Sequence, residues 1–377
     1  MGACGSAQNS KNKKKKKYKN NYNQNKKNTE STKPSNLYKE KVFEPYNPEK
    51  NGDYILPTSL AIHDDITKYY LISQEILGQG ASGTVAIGEN SDGKFAIKRV
   101  NKMSIKSVDG IYKEAEFAKL NHPNIIKYYG VYEDLKTISF VMELAEGGDL
   151  FDFITSSPLG HLPLDICIDL MVQICETLVY LHCTKKIVHR DLKPENILIT
   201  ISGNNPIIKL IDFGMSTFFK EGEELNEFLG TPQYSAPELV NHYPYNEKVD
   251  IWATGVILFN MLTGYEPFKG ESRSTLDDEI KYKDINFDLI EYEPMKEFCE
   301  KLLQRVVDDR IDAKTALQIA KDIKEEREEY YKEEEDKEKR KNNNNSNNNN
   351  YMGIHDIEKT KNDVEVFWGA YTNRIGI

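Results

Sequence analysis

Apolar residues change their spacing once along this chain, and that change limits the folds open to it. Between residues 69 and 120 they come in short runs rich in β-branched and aromatic side chains: Tyr70-Leu71-Ile72, Thr84-Val85-Ala86-Ile87-Gly88, and Lys94-Phe95-Ala96-Ile97-Lys98 after the turn Ser91-Asp92-Gly93. One helical stretch, residues 111–120, follows. From Asp165 onward the apolar positions fall at helical spacing (Ile166, Leu170, Ile174, Leu178, Leu181), and residues 249–262 read as a long apolar helix. A β-rich part followed by a helical part predicts an α+β, bilobal unit, with an N-lobe over 69–143 and a C-lobe over 148–323.

The flanks carry little that builds a core. Residues 1–41 hold 12 Lys against 2 Glu, with Lys11 to Lys17 nearly all lysine, although the whole chain stands at −10. Such a segment buries too little apolar surface to offset the entropy of ordering it, so residues 1–68 are expected to be a basic, Asn-rich tail. Residues 324–341 read as a charged helix, and 342–350, with eight Asn in nine residues, as a spacer. The C-terminal tail, 351–377, contains Trp368 and Tyr371, which either dock on the helical lobe or stay loose. No run of 18 uncharged apolar residues occurs, and the Lys-rich opening lacks the apolar region of a secretory signal, so an intracellular protein is expected. The five Cys form neither a disulfide framework nor a zinc pair and read as reduced thiols.

Gly78-Gln79-Gly80-Ala81-Ser82-Gly83-Thr84-Val85 lies between two predicted strands, where backbone amides free of side chains can close over phosphates. Alone it also fits a dinucleotide site or a plain glycine hairpin. Thirteen residues after Val85, Lys98 places an ammonium on the next strand. The segment His189-Arg190-Asp191-Leu192-Lys193-Pro194-Glu195-Asn196 is followed, sixteen residues after Asn196, by Asp212-Phe213-Gly214.

With these segments the chain resembles the eukaryotic protein kinase superfamily, whose signature set it meets in order from Leu77 to Arg310. The resemblance implies the bilobal kinase fold, ATP and Mg2+ as cofactors, and transfer of the γ-phosphate to a protein hydroxyl, a reaction governed by positioning and charge neutralisation. It implies that Asp191 orients the substrate hydroxyl and takes its proton, that Lys193 reaches the transferring phosphate, and that Asn196 and Asp212 hold the metal ions. Lys193, together with Gly230-Thr231-Pro232-Gln233-Tyr234-Ser235-Ala236-Pro237-Glu238, looks like the serine/threonine class, with Thr231 at the acceptor pocket. Nucleotide contacts are implied for Leu77 and the glycine loop from Gly78 to Val85, for Ala96, Lys98 and Leu198, and for the hinge backbone at Glu143 and Ala145. Met142 would gate the pocket behind, Asp149 would meet the ribose, and Glu195 would lie nearby. Glu238 and Arg310 would pair to anchor the activation segment.

Several departures bear on these expectations. The helix that should offer Lys98 a carboxylate, Tyr112-Lys113-Glu114-Ala115-Glu116-Phe117, is one residue shorter than the family's spacing to the following His122-Pro123-Asn124-Ile125 turn. Glu114 is the expected partner and Glu116 the alternative; one residue turns a helix by about 100°, so their faces differ. Before Arg310, Val306-Val307-Asp308-Asp309 stands where the family often has Asp-Pro. The activation segment between Thr217 and Thr231 has no Ser or Thr, and Glu227 is expected to give Arg190 the negative charge that a phosphate supplies elsewhere.

The segment Phe218-Phe219-Lys220-Glu221-Gly222-Glu223, with Asp212-Phe213-Gly214-Met215-Ser216 before it, resembles the calcium-dependent protein kinase family of the calmodulin-kinase group. No EF-hand loop occurs in the sequence, so direct calcium control is not expected, and the acidic helix after Ala320 is a poor calmodulin target. Met1-Gly2-Ala3-Cys4-Gly5-Ser6 fits an acceptor for myristoylation at Gly2, with Cys4 open to palmitoylation and the lysine run behind. Two such signals suffice for anchoring, so the cytoplasmic face of a membrane, the cell membrane foremost, is expected. The lysines read alternatively as a solvated tail or a nucleic-acid patch, although no nucleic-acid partner is expected. The reading is a monomeric, membrane-tethered serine/threonine protein kinase acting on protein substrates. The rival is a non-catalytic kinase-fold scaffold docked at a membrane.

Overall fold

The computed structural model describes residues 54–80, 83–105, 107–203, 205–344 and 352–375. The arm 1–53 with Gly2 and Cys4, Ala81 and Ser82 of the glycine loop, and most of the Asn-rich spacer lie outside these residues. Five antiparallel strands form the N-lobe sheet: β1 (Leu71–Gly80), β2 (Gly83–Asn90), β3 (Gly93–Asn101), β4 (Tyr128–Glu133) and β5 (Thr137–Met142), in the order β1-β2-β3-β5-β4. The β2–β3 register, Val85 opposite Lys98 and Asn90 opposite Gly93, leaves a two-residue turn. Gly93 has φ +133°, a conformation that side-chain-bearing residues avoid. Helix α1 (Val108–Phe117) packs on the sheet; it begins and ends three residues before the expected 111–120.

The C-lobe is built from α2 (Leu150–Thr155), α3 (Leu164–Val179), α4 (Pro237–Val240), α5 (Lys248–Thr263), α6 (Arg273–Tyr282) and α7 (Glu293–Leu302). Short strands β6 (Ile187–Val188), β7 (Ile197–Ser202), β8 (Asn205–Leu210) and β9 (Thr217–Phe218) carry the loops facing the N-lobe. Helix α5 is buried almost all round, as its near-continuous apolar sequence requires. Gly255 makes this possible, since a Cβ there would lie 2.7 Å from Leu303 and 2.9 Å from Leu302. Trp252 stacks on Phe268 (5.9 Å, 7°), and the Arg310 guanidinium lies 5.2 Å above the Trp252 ring. Arg310 grips Glu238 through two hydrogen bonds of 2.7 and 2.9 Å, both side chains buried, and the turn before it closes on the Val306 carbonyl.

Three boundaries differ from expectation. Residues 54–68 are not tail. Leu56 (2% exposed), Ala61 and Ile66 are buried, and Ile62 pairs in parallel with Tyr132 on the open edge of β4. The charged helix does not begin at 324: α8 runs unbroken over Ala313–Asn344, taking in the first three Asn of the expected spacer. It lies on α3 through Lys321–Glu176, Lys324–Asp169 and Arg327–Asp165 pairs of 2.8, 2.7 and 3.0 Å, so its charges are matched by a specific neighbour. The expected C-terminal tail is a helix, α9 (Met352–Ile375), with Phe367, Trp368 and Tyr371 buried against Phe153 of α2.

Candidate active site

Between sheet and helices lies a cavity of about 750 Å3. Leu77, Val85, Ala96 and Met142 give it an apolar N-lobe wall, and Leu198 and Ile211 close it from the other lobe. Glu143, Leu144 and Ala145 line the side where the chain crosses between lobes. The Glu143 side chain is tied to Lys209 at 2.8 Å and its N–H donates to the Lys127 carbonyl. This is the shape and polarity of a small-molecule pocket: apolar faces with a few placed polar groups.

Lys98 projects from β3 into the polar end. Its Nζ donates to both carboxylate oxygens of Glu114, at 2.7 and 2.8 Å. Glu116 is exposed, because Ile111, Glu114 and Ala115, at i, i+3 and i+4, form the inward face of α1. Burial works against the Lys98 charge, but Glu114 and Asp212 outweigh it and hold the ammonium above its usual value. Two carboxylates thus face one ammonium in a closed cleft, an excess of negative charge that a cation would relieve. Asp212 and Asn196 offer a carboxylate and an amide oxygen, the hard donors Mg2+ takes in ones and twos beside phosphates and water.

The loop after β6 supplies the rest. Asp191 accepts hydrogen bonds from the Thr231 N–H (3.0 Å) and hydroxyl (2.7 Å) on one oxygen, and on the other from Asn196 Nδ2 (3.0 Å), with Lys193 Nζ at 2.9 Å. Lys193 also donates to Thr231 Oγ1 at 2.8 Å. Burial tends to raise the Asp191 carboxyl, but Thr231 and Lys193 outweigh it and keep it below its ordinary value, hence ionised. The loop is held from behind by Asp250, whose carboxylate accepts the His189 and Arg190 N–H groups (2.8 and 2.9 Å) and lies 2.9 Å from His182 Nε2. Arg190 and Asp212 have φ of 70° and 61°, left-handed values costing on the order of 1 kcal/mol each, maintained only because such contacts over-determine them. Arg190 reaches Glu227 at 3.0 Å, and Tyr245 joins the pair by accepting from Arg190 and donating to the Glu227 carbonyl.

Not every expected residue lines the cavity. Gly78 does; Gln79, Gly80, Gly83 and Thr84 stand outside it at the paired ends of β1 and β2. Asp149 lines it while capping α2, its carboxylate accepting the Asp152 N–H at 2.8 Å. Glu195 does not: the turn Pro194–Asn196 aims its side chain outward, to where it and Glu266 add to burial in raising the Tyr234 hydroxyl. Sequence reasoning missed the bracing by Asp250 and Tyr245, since both partners come from distant helices or loops. It also missed Asp152, whose place one turn into α2, after Asp149, was the available signal.

Residues 71–320 match the family described as the protein kinase domain. The chain is 38% identical over 234 residues to calcium-dependent protein kinase 5 of Plasmodium berghei (strain Anka), covering 61% of this chain and 41% of that one. Calcium-dependent protein kinase 5 of Plasmodium falciparum (isolate 3D7) is 36% identical over 229 residues (60% and 40%), and calcium-dependent protein kinase 3 of Plasmodium berghei 34% over 267 (69% and 48%). The chain therefore spans less than half the length of these curated relatives. The glycine-bordered cleft, the Lys98–Glu114 pair and the Asp191 loop sit within the matched span, and the chain belongs to the protein kinase family, whose members use ATP and Mg2+.

Proposed function

We propose that this chain transfers the γ-phosphate of ATP to Ser or Thr hydroxyls of proteins. The observation that carries this is at Asp191: a carboxylate kept ionised already receives an alcohol O–H, that of Thr231, beside a lysine ammonium. A substrate hydroxyl offered there would form its bond to the γ-phosphorus as the bond to the β–γ bridging oxygen breaks, its proton passing to Asp191. Lys193 and Lys98 would hold the phosphates against charge repulsion, with Glu114 fixing Lys98. Mg2+, when bound, supplies charge neutralisation at the phosphates, and Asp212 and Asn196 are the residues that would hold it. Met142, Ala96, Val85 and Leu198 would enclose the base, and the backbone at Glu143 and Ala145 would read its edge.

Peptide phosphorylation by the wild-type chain and by Asp191→Asn tests the reading. Equal activity, or none in either, returns the chain to the rival role of a non-catalytic scaffold. The Arg190–Glu227 pair supports a segment that is ordered without an upstream kinase, and Glu227→Arg should then lower activity. Membrane attachment rests on the sequence pattern at Gly2 and Cys4 with the lysines behind, and Gly2→Ala should release the protein from membranes. Assay with and without calcium and calmodulin settles whether either controls a chain so similar to calcium-dependent kinases. Asp149 on the cavity wall and the exposed Glu195 would together favour substrates with a basic residue near the acceptor.

A further inference from the structure

Glu133 ends β4 with its side chain fully buried. Its two carboxylate oxygens accept the backbone N–H groups of Ile55 and Leu56, and Lys102 Nζ stands 2.8 Å away with a side chain only 1% exposed. One carboxylate thereby joins three parts of the chain: the segment 54–68, the edge strand β4, and the start of the β3–α1 connection, four residues beyond Lys98. The segment is further fixed by Ile62, whose N–H donates to the Val131 carbonyl (2.8 Å) and whose carbonyl accepts from Glu133 (2.9 Å). Tyr54 stacks on His63 at 4.0 Å and lies 5.2 Å beneath the Lys102 ammonium.

The apolar side of the same strap reaches α1. Leu56 and Ala61 belong to one buried cluster with Ile105, Ile111 and Ala115. Ile111 and Ala115 flank Glu114 on the inward face of α1, so the surface against which the strap packs is continuous with the one that aims Glu114 at Lys98. A helix turns about 100° per residue, and a small roll of α1 is enough to part a 2.7 Å ion pair. Kinase catalysis requires that pair in place, and placement of this helix is what controls it.

We propose that residues 54–68 are a positioning element for phosphoryl transfer: Leu56, seated beside the Glu133 clamp, sets α1 so that Glu114 holds Lys98. The proposal rests on the kinase reading above. It is tested in the full chain with Leu56→Ala and Leu56→Met, by steady-state kinetics on a peptide and by amide hydrogen exchange. Leu56→Ala should lower kcat about tenfold while KM for MgATP and peptide moves less than about threefold, and Leu56→Met should restore most of the loss. Exchange should quicken in 54–66 and in α1, and stay unchanged in α5. The idea is overturned if kcat stays within about twofold while exchange in the strap has quickened, if the loss falls on KM, or if α5 loosens equally, which marks general unfolding. Should the wild type transfer no phosphate, the kinase reading fails, and the exchange of α1 in Leu56→Ala still decides whether the strap holds that helix.

Discussion

Two segments that the sequence presents as tails both dock, and they do so by different physics on different lobes. The N-terminal strap, 54–68, is held by a buried carboxylate whose partners are backbone N–H groups and an ammonium, with aliphatic residues beside it. The C-terminal helix α9 is held by aromatic rings: Phe367 and Tyr371 meet Phe153 edge-on at 4.9 and 4.7 Å, and the Tyr371 hydroxyl donates to the Gly147 carbonyl. On the proposed reading the strap, which shares a buried cluster with Ile111 and Ala115 of the helix that carries Glu114, bears on the alignment of Lys98 and therefore on the rate of transfer. Helix α9 touches Gly147 and Asp152, next to Gly148 and Asp149 on the cavity wall, so it bears on nucleotide binding. Where a segment docks thus decides which kinetic constant it governs, and the mode of docking decides how costly it is to undo.

The largest effect is expected at the clamp. Glu133→Ala leaves the Lys102 ammonium buried without its carboxylate and strips two N–H groups of their acceptor, a loss of about 3–5 kcal/mol. Urea denaturation of the full chain measures it, and a loss below about 1 kcal/mol would show that Glu133 is no clamp. Phe367→Ala comes next. It removes a fully buried ring, nominally about 3 kcal/mol, and the expected global loss is no larger than the docking energy of α9. The expected signs are faster proteolysis within 352–375 and a severalfold rise in KM for ATP, with kcat held within about twofold. A fall in kcat at constant KM would reverse the assignment of α9 to nucleotide binding.

The parts of this molecule that sequence made legible are those whose signals are local. Short β-branched runs marked β1, β2 and β3 but not β4 and β5, unbroken apolar sequence marked α5, and motif spacings suggested Lys98, Asp191, Asn196 and Asp212. The choice between Glu114 and Glu116 stayed open because a one-residue difference in helix length changes the face; the Lys98–Glu114 hydrogen bonds, with Ile111 and Ala115 buried on the same face, resolve it. The docked ends were illegible for another reason: Leu56 lies 77 residues from Glu133, and Tyr371 lies 224 from Gly147. Isolated apolar residues in polar sequence carry no period to read. Helix α9 did carry one, Val364, Phe367, Trp368 and Tyr371 at i, i+3, i+4 and i+7, a stripe sufficient to predict a docked amphipathic helix. Glu195 erred the opposite way, since its motif is unmistakable but a tight turn points its side chain out of the cavity.

The finer grain of the comparison lies in two substitutions at the C-terminal end of α9. Tyr371→Phe keeps the aromatic packing and deletes the hydroxyl donated to Gly147, worth about 1 kcal/mol, and should raise KM for ATP by roughly two- to fivefold. Gly147 and Ile199 remain joined by their own backbone hydrogen bond of 2.9 Å, which keeps the effect from growing larger. Arg374 pairs with the Asp152 carboxylate at 3.4 Å, but both side chains are about half exposed, so water and salt screen the attraction. Arg374→Ala should therefore cost well under about 1 kcal/mol and move KM for ATP by less than about twofold, the difference vanishing in half-molar salt. A larger, salt-resistant effect would mean that the carbonyl contact of Arg374 with Asp152, at 3.1 Å, holds α2 against the cleft, and that charge contributes to a docking assigned here to aromatic burial.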